Sequence, residues 1–229
     1  MHDQILHLFS PVPTSSTYLV FFLLSCIISP FFSEWMDACY RKEPDTLSYP
    51  SDIENRKRFR KPFLSISLFL CMMPFLSLPL PLLVYHFLLI SFLLCTICTD
   101  FEQHVIYDVM LLPFALLALP FFPLLPLPAG NHLMAAFAGG IAFLLLAILT
   151  GGGIGGGDIK LIFVLGLWLG THKLLAVILL GFFLGGLAAL LLLLTGKKKR
   201  RDFLAYGPYF AGSAILLSIY YEILASTSR

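Results

Sequence analysis

Residues 151–171 read GGGIGGGDIKLIFVLGLWLGT, a glycine-rich bend followed by one carboxylate and a long apolar run. The carboxylate is Asp158, and Lys160 follows it by two positions. A carboxylate at the edge of a membrane is costly to desolvate, and such residues usually carry function. A second aspartate, Asp100, also ends an apolar run, 58 residues earlier in the chain. Two aspartates at the same membrane face indicate acid–base chemistry on a peptide bond.

The composition is that of an integral membrane protein. Of 229 residues, 59% are hydrophobic and 12% are charged, and the mean hydropathy is +0.90, whereas soluble domains are about 25% charged. The apolar runs are continuous rather than alternating, which favours helices over a β-barrel. At roughly 20 residues per span, the length predicts an all-α, polytopic protein with about eight transmembrane helices.

Eight apolar segments are predicted to span the membrane, with a tight turn at Gly170-Thr171-His172 between the sixth and the seventh. The segments are residues 17–33, 63–79, 81–98, 108–125, 132–150, 159–171, 173–195 and 206–224.

Most of the positive charge lies in two predicted loops. The loop 34–62 holds seven Lys and Arg residues and the loop 196–202 holds five, which together make 12 of the 15 in the chain. The positive-inside rule places both loops in the cytoplasm, and the even number of predicted spans between them agrees with that placement. The same topology puts Asp100 and Asp158 on the cytoplasmic side. We interpret the two basic clusters as topology determinants and contacts to membrane lipids, with no nucleic acid as a partner.

Both aspartates lie in unusual local sequence. Residues 99–108 read TDFEQHVIYD, so three carboxylates and one histidine follow an apolar span within nine residues; a polar loop between helices is the plain alternative. The run GGGIGGG at 151–157 is too rich in glycine for an ordinary turn, and a substrate strand could lie alongside it. Lys160 is not expected to pair with Asp158, because residues two apart on a helix point to different sides. On these grounds alone, a transporter with Asp100 and Asp158 as proton or cation ligands remains the alternative function.

The motifs taken together resemble the type IV prepilin peptidase family, whose members are GxGD-type intramembrane aspartic proteases. The first family motif has the form D-x5-(I/L)-P-(D/N), and residues 100–108 read DFEQHVIYD. The second has the form GxGDxKL, and residues 155–161 read GGGDIKL, followed by LGLWLG at 165–170. A basic stretch and then FGP-(F/Y) is matched by Lys197–Arg201 and by YGPY at 206–209. The resemblance covers residues 63–224 in order and spacing.

The resemblance implies that Asp100 and Asp158 are the catalytic pair of an aspartic endopeptidase that uses no metal and no cofactor. One of two close carboxyl groups stays protonated. The ionised group then activates a water, and the protonated group polarises the scissile carbonyl. Glu102 and Asp108 are also expected to attract the cations of a basic leader. Supporting or substrate-binding roles are predicted for Glu102, Asp108, Gly155, Gly157 and Lys160.

The first departure from the family pattern is Tyr107, which stands where the family has a proline. Tyr107-Asp108 is similar to the YD motif of presenilin-like GxGD proteases, so Asp108 is the alternative first catalytic aspartate. The PAL motif of those proteases is absent, and the YGPY element at 206–209 favours the prepilin branch. Asp108 is otherwise expected to be the N-cap of a helix.

The second departure is in the loop 34–62. Bifunctional bacterial members carry two CxxC pairs that bind zinc in this region, and they also N-methylate the new pilin terminus. Here the loop contains one cysteine, Cys39, which cannot supply a tetrahedral zinc set. We therefore predict two domains, with 1–62 an N-terminal anchor helix plus an eroded, methylase-like basic loop and 63–229 a transmembrane aspartic peptidase domain. The resemblance does not extend to methyl transfer.

The function that the resemblance implies is that of a prepilin leader peptidase in the bacterial cytoplasmic (inner) membrane, multi-pass and with its active site on the cytoplasmic side. Its substrates would be type IV prepilins or the pseudopilins of a type II secretion system, and both classes remain open. Secretion or pilus assembly machinery would be a further partner.

Overall fold

A computed structural model describes residues 14–196 and 205–227. Over these residues the chain is all-α, without a strand, so the predicted fold class is confirmed. The basic stretch Lys197–Arg201 lies outside the described residues. The α-helices are α1 (Ser15–Lys42), α2 (Ile53–Arg56), α3 (Arg60–Met72), α4 (Leu80–Gln103), α5 (Asp108–Ala118), α6 (Ala129–Leu149), α7 (Gly156–Leu194) and α8 (Gly207–Thr227).

Five of the helices in the described residues are long and apolar enough to cross a membrane, namely α1, α4, α6, α7 and α8. The predicted spans 63–79 and 108–125 take another form, because each is a shorter helix followed by a 3-10 segment. Helix α3 continues into Met73–Phe75, and α5 continues into Leu119–Leu124. Both 3-10 segments carry proline near their start, and proline lacks the N–H that an α-helix needs.

Helix α7 combines two predicted spans. It has 39 residues, and at 1.5 Å per residue a straight helix of that length would be about 58 Å long, roughly twice the ~30 Å hydrocarbon core of a bilayer. Gly170 interrupts it with φ 72° and ψ 178°, a conformation that glycine adopts without strain. The amide oxygen of Asn131 accepts the backbone N–H of Thr171 at 3.0 Å, which satisfies a donor at the break. The predicted interruption at Gly170-Thr171-His172 is confirmed.

The chain forms two compact units, Met1–Cys95 with Ser218–Arg229 and Thr96–Leu217. In the first unit, Ser25, Ser29 and Ser33 recur every fourth residue on α1 and are buried. The hydroxyl groups of Ser29 and Ser65 form a hydrogen bond of 2.5 Å between α1 and α3. Small and hydroxylated residues let membrane helices pack closely, so this stripe accounts for the α1–α3 contact.

A buried ion pair lies at the other end of the same contact. The side chain of Arg60, which is fully buried, donates to the Asp37 carboxylate at 2.6 Å and to the backbone oxygen of Ser33 at 3.0 Å. Removing one partner of such a pair leaves a charge without compensation in a low-dielectric environment. This pair therefore anchors α3 against α1.

In the second unit, α6 and α7 pack closely because glycines line their contact. A Cβ at Gly166 of α7 would lie 2.5 Å from the Cα of Ala136 on α6, so the two backbones nearly touch. The indole N–H of Trp168 donates to the backbone oxygen of Phe114 at 3.0 Å, and the two rings stack with centroids 4.3 Å apart. These contacts hold α5, α6 and the first half of α7 together, and both aspartates lie within this unit.

Candidate active site

Asp100 and Asp158 line the same cavity. Asp100 lies in the last turn of α4, and Asp158 is the third residue of α7. The cavity has a volume of about 240 Å³, which is large enough for water and a short extended segment of polypeptide. Its lining consists of Asp100, His104, Val105, Ile106, Gly155, Gly156, Gly157 and Asp158. The fold therefore brings together two carboxyl groups that are 58 positions apart in sequence.

The two carboxyl groups differ in their surroundings. Asp100 is 5% exposed, and its Oδ2 atom is buried without a hydrogen-bond partner among the described residues. Asp158 is half-buried, and the backbone N–H of Gly155 is directed at its carboxyl group. Gly155 is the N-cap residue of α7, so Asp158 occupies the N3 position in the first turn of the helix. Two carboxyl groups that line one cavity are candidates for sharing one proton.

The loop between α4 and α5 carries one wall of the cavity. Helix α4 ends at Gln103, and His104 follows with φ 55°, in the left-handed region that residues other than glycine rarely adopt. Such conformations cluster at functional sites. The turn directs Ile106 at the glycine bend, since a Cβ at Gly157 would lie 3.2 Å from the Cβ of Ile106. Glycine at 157 thus allows the α7 start to approach this loop.

The glycine bend also needs its glycines for backbone conformation. Gly151 and Gly152 have φ of 63° and 90°, and they turn the chain after α6. A side chain at either position would meet no atom within 4 Å, so conformation rather than space requires glycine there. The prediction that this run adopts positive φ is confirmed at these two positions.

Asp108 lies apart from the Asp100–Asp158 cavity. The Lys160 ammonium group contacts both Asp108 carboxylate oxygens at 2.7 Å, and the two side chains are 55% and 67% exposed. Both residues line a separate, mostly apolar groove of about 660 Å³ between α5, α6 and α7. Lys160 pairs with Asp108 and not with Asp158, as expected for residues two apart on a helix. Asp108 is the first residue of α5 and Tyr107 is the N-cap residue, so the predicted N-cap position is wrong by one residue.

Glu102 is 4% exposed, and it does not line the cavity that holds Asp100 and Asp158. Two residues apart on α4, Asp100 and Glu102 point to different sides of the helix. Glu102 is buried, and the exposed Asp108 carboxylate contacts the Lys160 ammonium group. Their supporting roles stay predictions.

Four residues that line the cavity are not among the predicted site residues, namely His104, Val105, Ile106 and Gly156. His104 and Ile106 belong to the segment TDFEQHVIYD, but only the carboxylates of that segment were singled out as site residues. The polar context was a usable signal for His104, whereas nothing in the local pattern marks an isoleucine as a wall of the cavity. Gly207 is a further residue near Asp100 that is not among the predicted site residues. Its backbone N–H faces the Asp100 carboxyl group. Its signal was the YGPY element at 206–209.

The fold and this cavity define a class of protein: a helical, polytopic membrane protein in which one buried and one half-buried carboxyl group line the same cavity. In the described residues, no group of three or more His, Cys, Asp or Glu side chains could hold a metal ion.

Residues 87–190 match the model of the type IV leader peptidase family. This segment contains both cavity aspartates, and the match confirms the resemblance inferred from the motifs. The chain is similar to the prepilin leader peptidase/N-methyltransferase of Bacillus subtilis (strain 168), with 34% identity over 140 residues. The alignment covers 60% of this chain and 56% of that relative, so the chain spans a little over half the length of the curated relative it matches. No solved structure matches this chain.

Proposed function

We propose that this chain is a prepilin leader peptidase of the aspartic type, with Asp100 and Asp158 as its catalytic residues. One observation carries the proposal: within the segment that matches the leader peptidase family, these two carboxyl groups line one cavity. The family match favours a peptidase over the transporter alternative. The separate position of Asp108, paired with Lys160, supports Asp100 as the first aspartate.

The chemistry follows from two carboxyl groups that share one proton. The ionised carboxylate takes a proton from a water molecule, and the water oxygen attacks the scissile carbonyl carbon. The protonated carboxyl group gives its proton to the carbonyl oxygen as the tetrahedral intermediate forms. The C–N bond then breaks as the carboxyl group that took the water proton gives it to the leaving amine. A hydroxyl group of the intermediate returns its proton to the other aspartate, and the carbonyl is restored as a carboxylic acid. The pair acts as a unit, so neither aspartate is assigned the role of base.

The glycine bend supports access of a substrate to the pair. Gly155 and Gly157 line the cavity beside Asp158, and neither presents a side chain to an approaching backbone. An extended substrate segment can therefore lie close to the two carboxyl groups. Substrates in this proposal are prepilins or pseudopilins, whose basic leader precedes an apolar helix. Membrane lipids and the machinery of pilus assembly or secretion complete the partners.

The decisive experiment is co-expression with a prepilin-like substrate and measurement of leader removal by the mobility of the substrate. Asp100→Asn and Asp158→Asn keep the size of the side chain and remove the carboxylate. We expect each to reduce cleavage by at least about 10²-fold, the usual range for loss of an acid–base group. Asp108→Asn decides between the two candidates for the first aspartate, and it should reduce cleavage far less than Asp100→Asn, because Asp108 lies outside the cavity and contacts Lys160. Undiminished cleavage by both Asp100→Asn and Asp158→Asn would contradict the aspartic peptidase.

The pH dependence tests the shared proton directly. With detergent-solubilised protein and a leader peptide, the rate should pass through a maximum, because both the doubly protonated and the doubly ionised pair are inactive. A rate that rises steadily with pH would contradict a shared proton. Methyl transfer is tested separately by following a labelled methyl group from a methyl donor to the cleaved substrate, and we expect no transfer.

We also propose that the site faces the cytoplasm of a bacterial inner membrane, on the basis of the predicted positive loops. In the predicted topology, Gly130 lies on the outer side of the membrane and Gly156 on the cytoplasmic side. A side chain at either position meets no atom within 4 Å. In a cysteine-free background, Gly130→Cys should react with a membrane-impermeant thiol reagent in intact cells, and Gly156→Cys should react after the cells are opened. The reverse pattern would contradict this orientation.

A further inference from the structure

The YGPY element has a structural consequence at the Asp100 carboxyl group. Helix α8 begins at Gly207, which is buried. A Cβ at this position would overlap the Asp100 Oδ2 atom and would lie 3.1 Å from the Cγ of Asp100. The same Cβ would lie 3.1 Å from the Cδ1 of Ile106, which is the wall residue of the cavity. The start of α8 therefore approaches Asp100 and Ile106 this closely only because residue 207 has no side chain.

The need for glycine at 207 is a matter of space. The glycines with positive φ in the described residues are Gly151, Gly152, Gly170 and Gly196, so Gly207 has a backbone conformation that other residues adopt without strain. Gly212 lies on the same helix, and a Cβ there would meet no atom within 4 Å. The two glycines of α8 thus differ in what surrounds them.

A second observation points to the same carboxyl group. Asp100 is 95% buried, with 5% exposure, and its Oδ2 has no hydrogen-bond partner among the described residues. The backbone N–H of Gly207 faces this carboxyl group. The first N–H groups of a helix lack partners within the helix, so the start of α8 presents donors toward a carboxylate.

We propose that Gly207 is a positioning residue for Asp100. The bare backbone at the start of α8 sets where the Asp100 carboxyl group lies relative to Asp158. This inference rests on the proposed function, since it treats Asp100 as one of the catalytic carboxyl groups. It gives the YGPY element a role: tyrosine and proline flank the one position that must lack a side chain.

The kinetic test compares Gly207→Ala with Gly212→Ala, a matched change on the same helix. To relieve the overlap, the carboxyl group or the α8 start must move by on the order of 1 Å. A misplacement of that size can reduce the rate by about 10²-fold. We therefore expect kcat for leader removal to fall by about 10²-fold in Gly207→Ala while KM stays nearly unchanged. Gly212→Ala should match the unsubstituted protein in both constants.

The structural test is a thermal double-mutant cycle that does not depend on activity. Gly207→Ala should lower the unfolding midpoint by several degrees in the otherwise unsubstituted protein. In an Asp100→Ala background the overlapping atoms are gone, so the same substitution should leave the midpoint nearly unchanged. Circular dichroism of the detergent-solubilised protein follows both transitions.

The outcomes separate the two proposals. If the unsubstituted protein does not remove a leader, the proposed function fails, and the thermal cycle still decides whether Gly207 acts on Asp100. If the protein cleaves but Gly207→Ala has the kcat of Gly212→Ala, the positioning role is overturned. An equal loss of midpoint in both backgrounds also overturns it, because the glycine would then be needed by a neighbour other than Asp100.

Discussion

Replacing Gly166 by alanine tests the closest helix contact of the second unit. Gly166 is buried on α7, and a Cβ there would lie 2.5 Å from the Cα and N of Ala136 and 2.7 Å from the carbonyl carbon of Ala135. These are backbone atoms of α6, so no side-chain rotation can relieve the contact. Non-bonded carbon atoms prefer separations of about 3.5–4.0 Å, and the helices must therefore separate by about 1 Å.

The expected change in the free energy of unfolding on Gly166→Ala is the difference between two effects. Overpacking of a well-packed core costs about 1–3 kcal/mol, and the backbone contact puts Gly166→Ala at the upper end, near ~3 kcal/mol. Alanine is about 1 kcal/mol more favourable than glycine inside a helix. The net loss in the free energy of unfolding is then about 2 kcal/mol. For a chain of 150–250 residues each kcal/mol moves the midpoint by about 2–4 °C, so we expect a decrease of about 4–8 °C.

Gly186→Ala provides the control on the same helix, because a Cβ at Gly186 would meet no atom within 4 Å. Only the helix-propensity gain applies there, and the midpoint should stay the same or rise by up to about 4 °C. Both variants are measured by circular dichroism during heating in one detergent. A Gly166→Ala midpoint equal to or above that of Gly186→Ala would refute the close α6–α7 contact.

Two further predictions use residues in different parts of the chain. Gly157→Ala places a Cβ 3.2 Å from the Cβ of Ile106 in the loop that follows α4, a contact that a shift of a few tenths of an ångström relieves. We therefore expect leader removal to fall several-fold, while Gly212→Ala leaves it unchanged. Equal rates for the two variants would contradict the importance of this contact. Arg60→Ala removes the 2.6 Å partner of Asp37 and leaves it the Lys57 ammonium group at 3.6 Å, so the loss of stability should be about 2 kcal/mol, below that of a fully buried pair. Glu54→Ala removes an exposed ion pair and should cost under about 1 kcal/mol. Similar unfolding midpoints for Arg60→Ala and Glu54→Ala would contradict a larger contribution of the buried pair to stability.

Much of the fold follows from the sequence, because apolar runs and their interruptions are local properties. Continuous apolar segments predict membrane helices whatever their neighbours are, and the helices α1, α4, α6, α7 and α8 confirm this. Glycine at 170 predicts the break inside α7, since few other residues adopt φ 72°. The 3-10 segments after α3 and α5 were not predicted, because a proline can end, bend or tighten a helix and the surroundings decide which.

The candidate site also has features that follow from the sequence and features that do not. Asp158 stands out locally, as one carboxylate between glycines and an apolar run, and Asp100 stands out as the end of another apolar run. The choice between Asp100 and Asp108 does not follow from a pattern, since they are only eight positions apart and both fit a known motif. Their positions in space differ, because His104 turns the chain so that Asp100 lines the cavity with Asp158 and Asp108 meets Lys160.

The sequence by itself determined that this is a helical membrane protein with a pair of aspartates in leader-peptidase motifs. Composition, apolar run length and motif spacing are properties of the chain alone, and a bilayer admits few structures for such a chain. Only the tertiary structure decided that Ile106 and Gly207 border the pair and that Asp108 lies outside it. The physical reason is that a contact such as Gly207 with Asp100 joins segments over a hundred positions apart. Whether a missing side chain leaves open space or closes a contact depends on that distant packing.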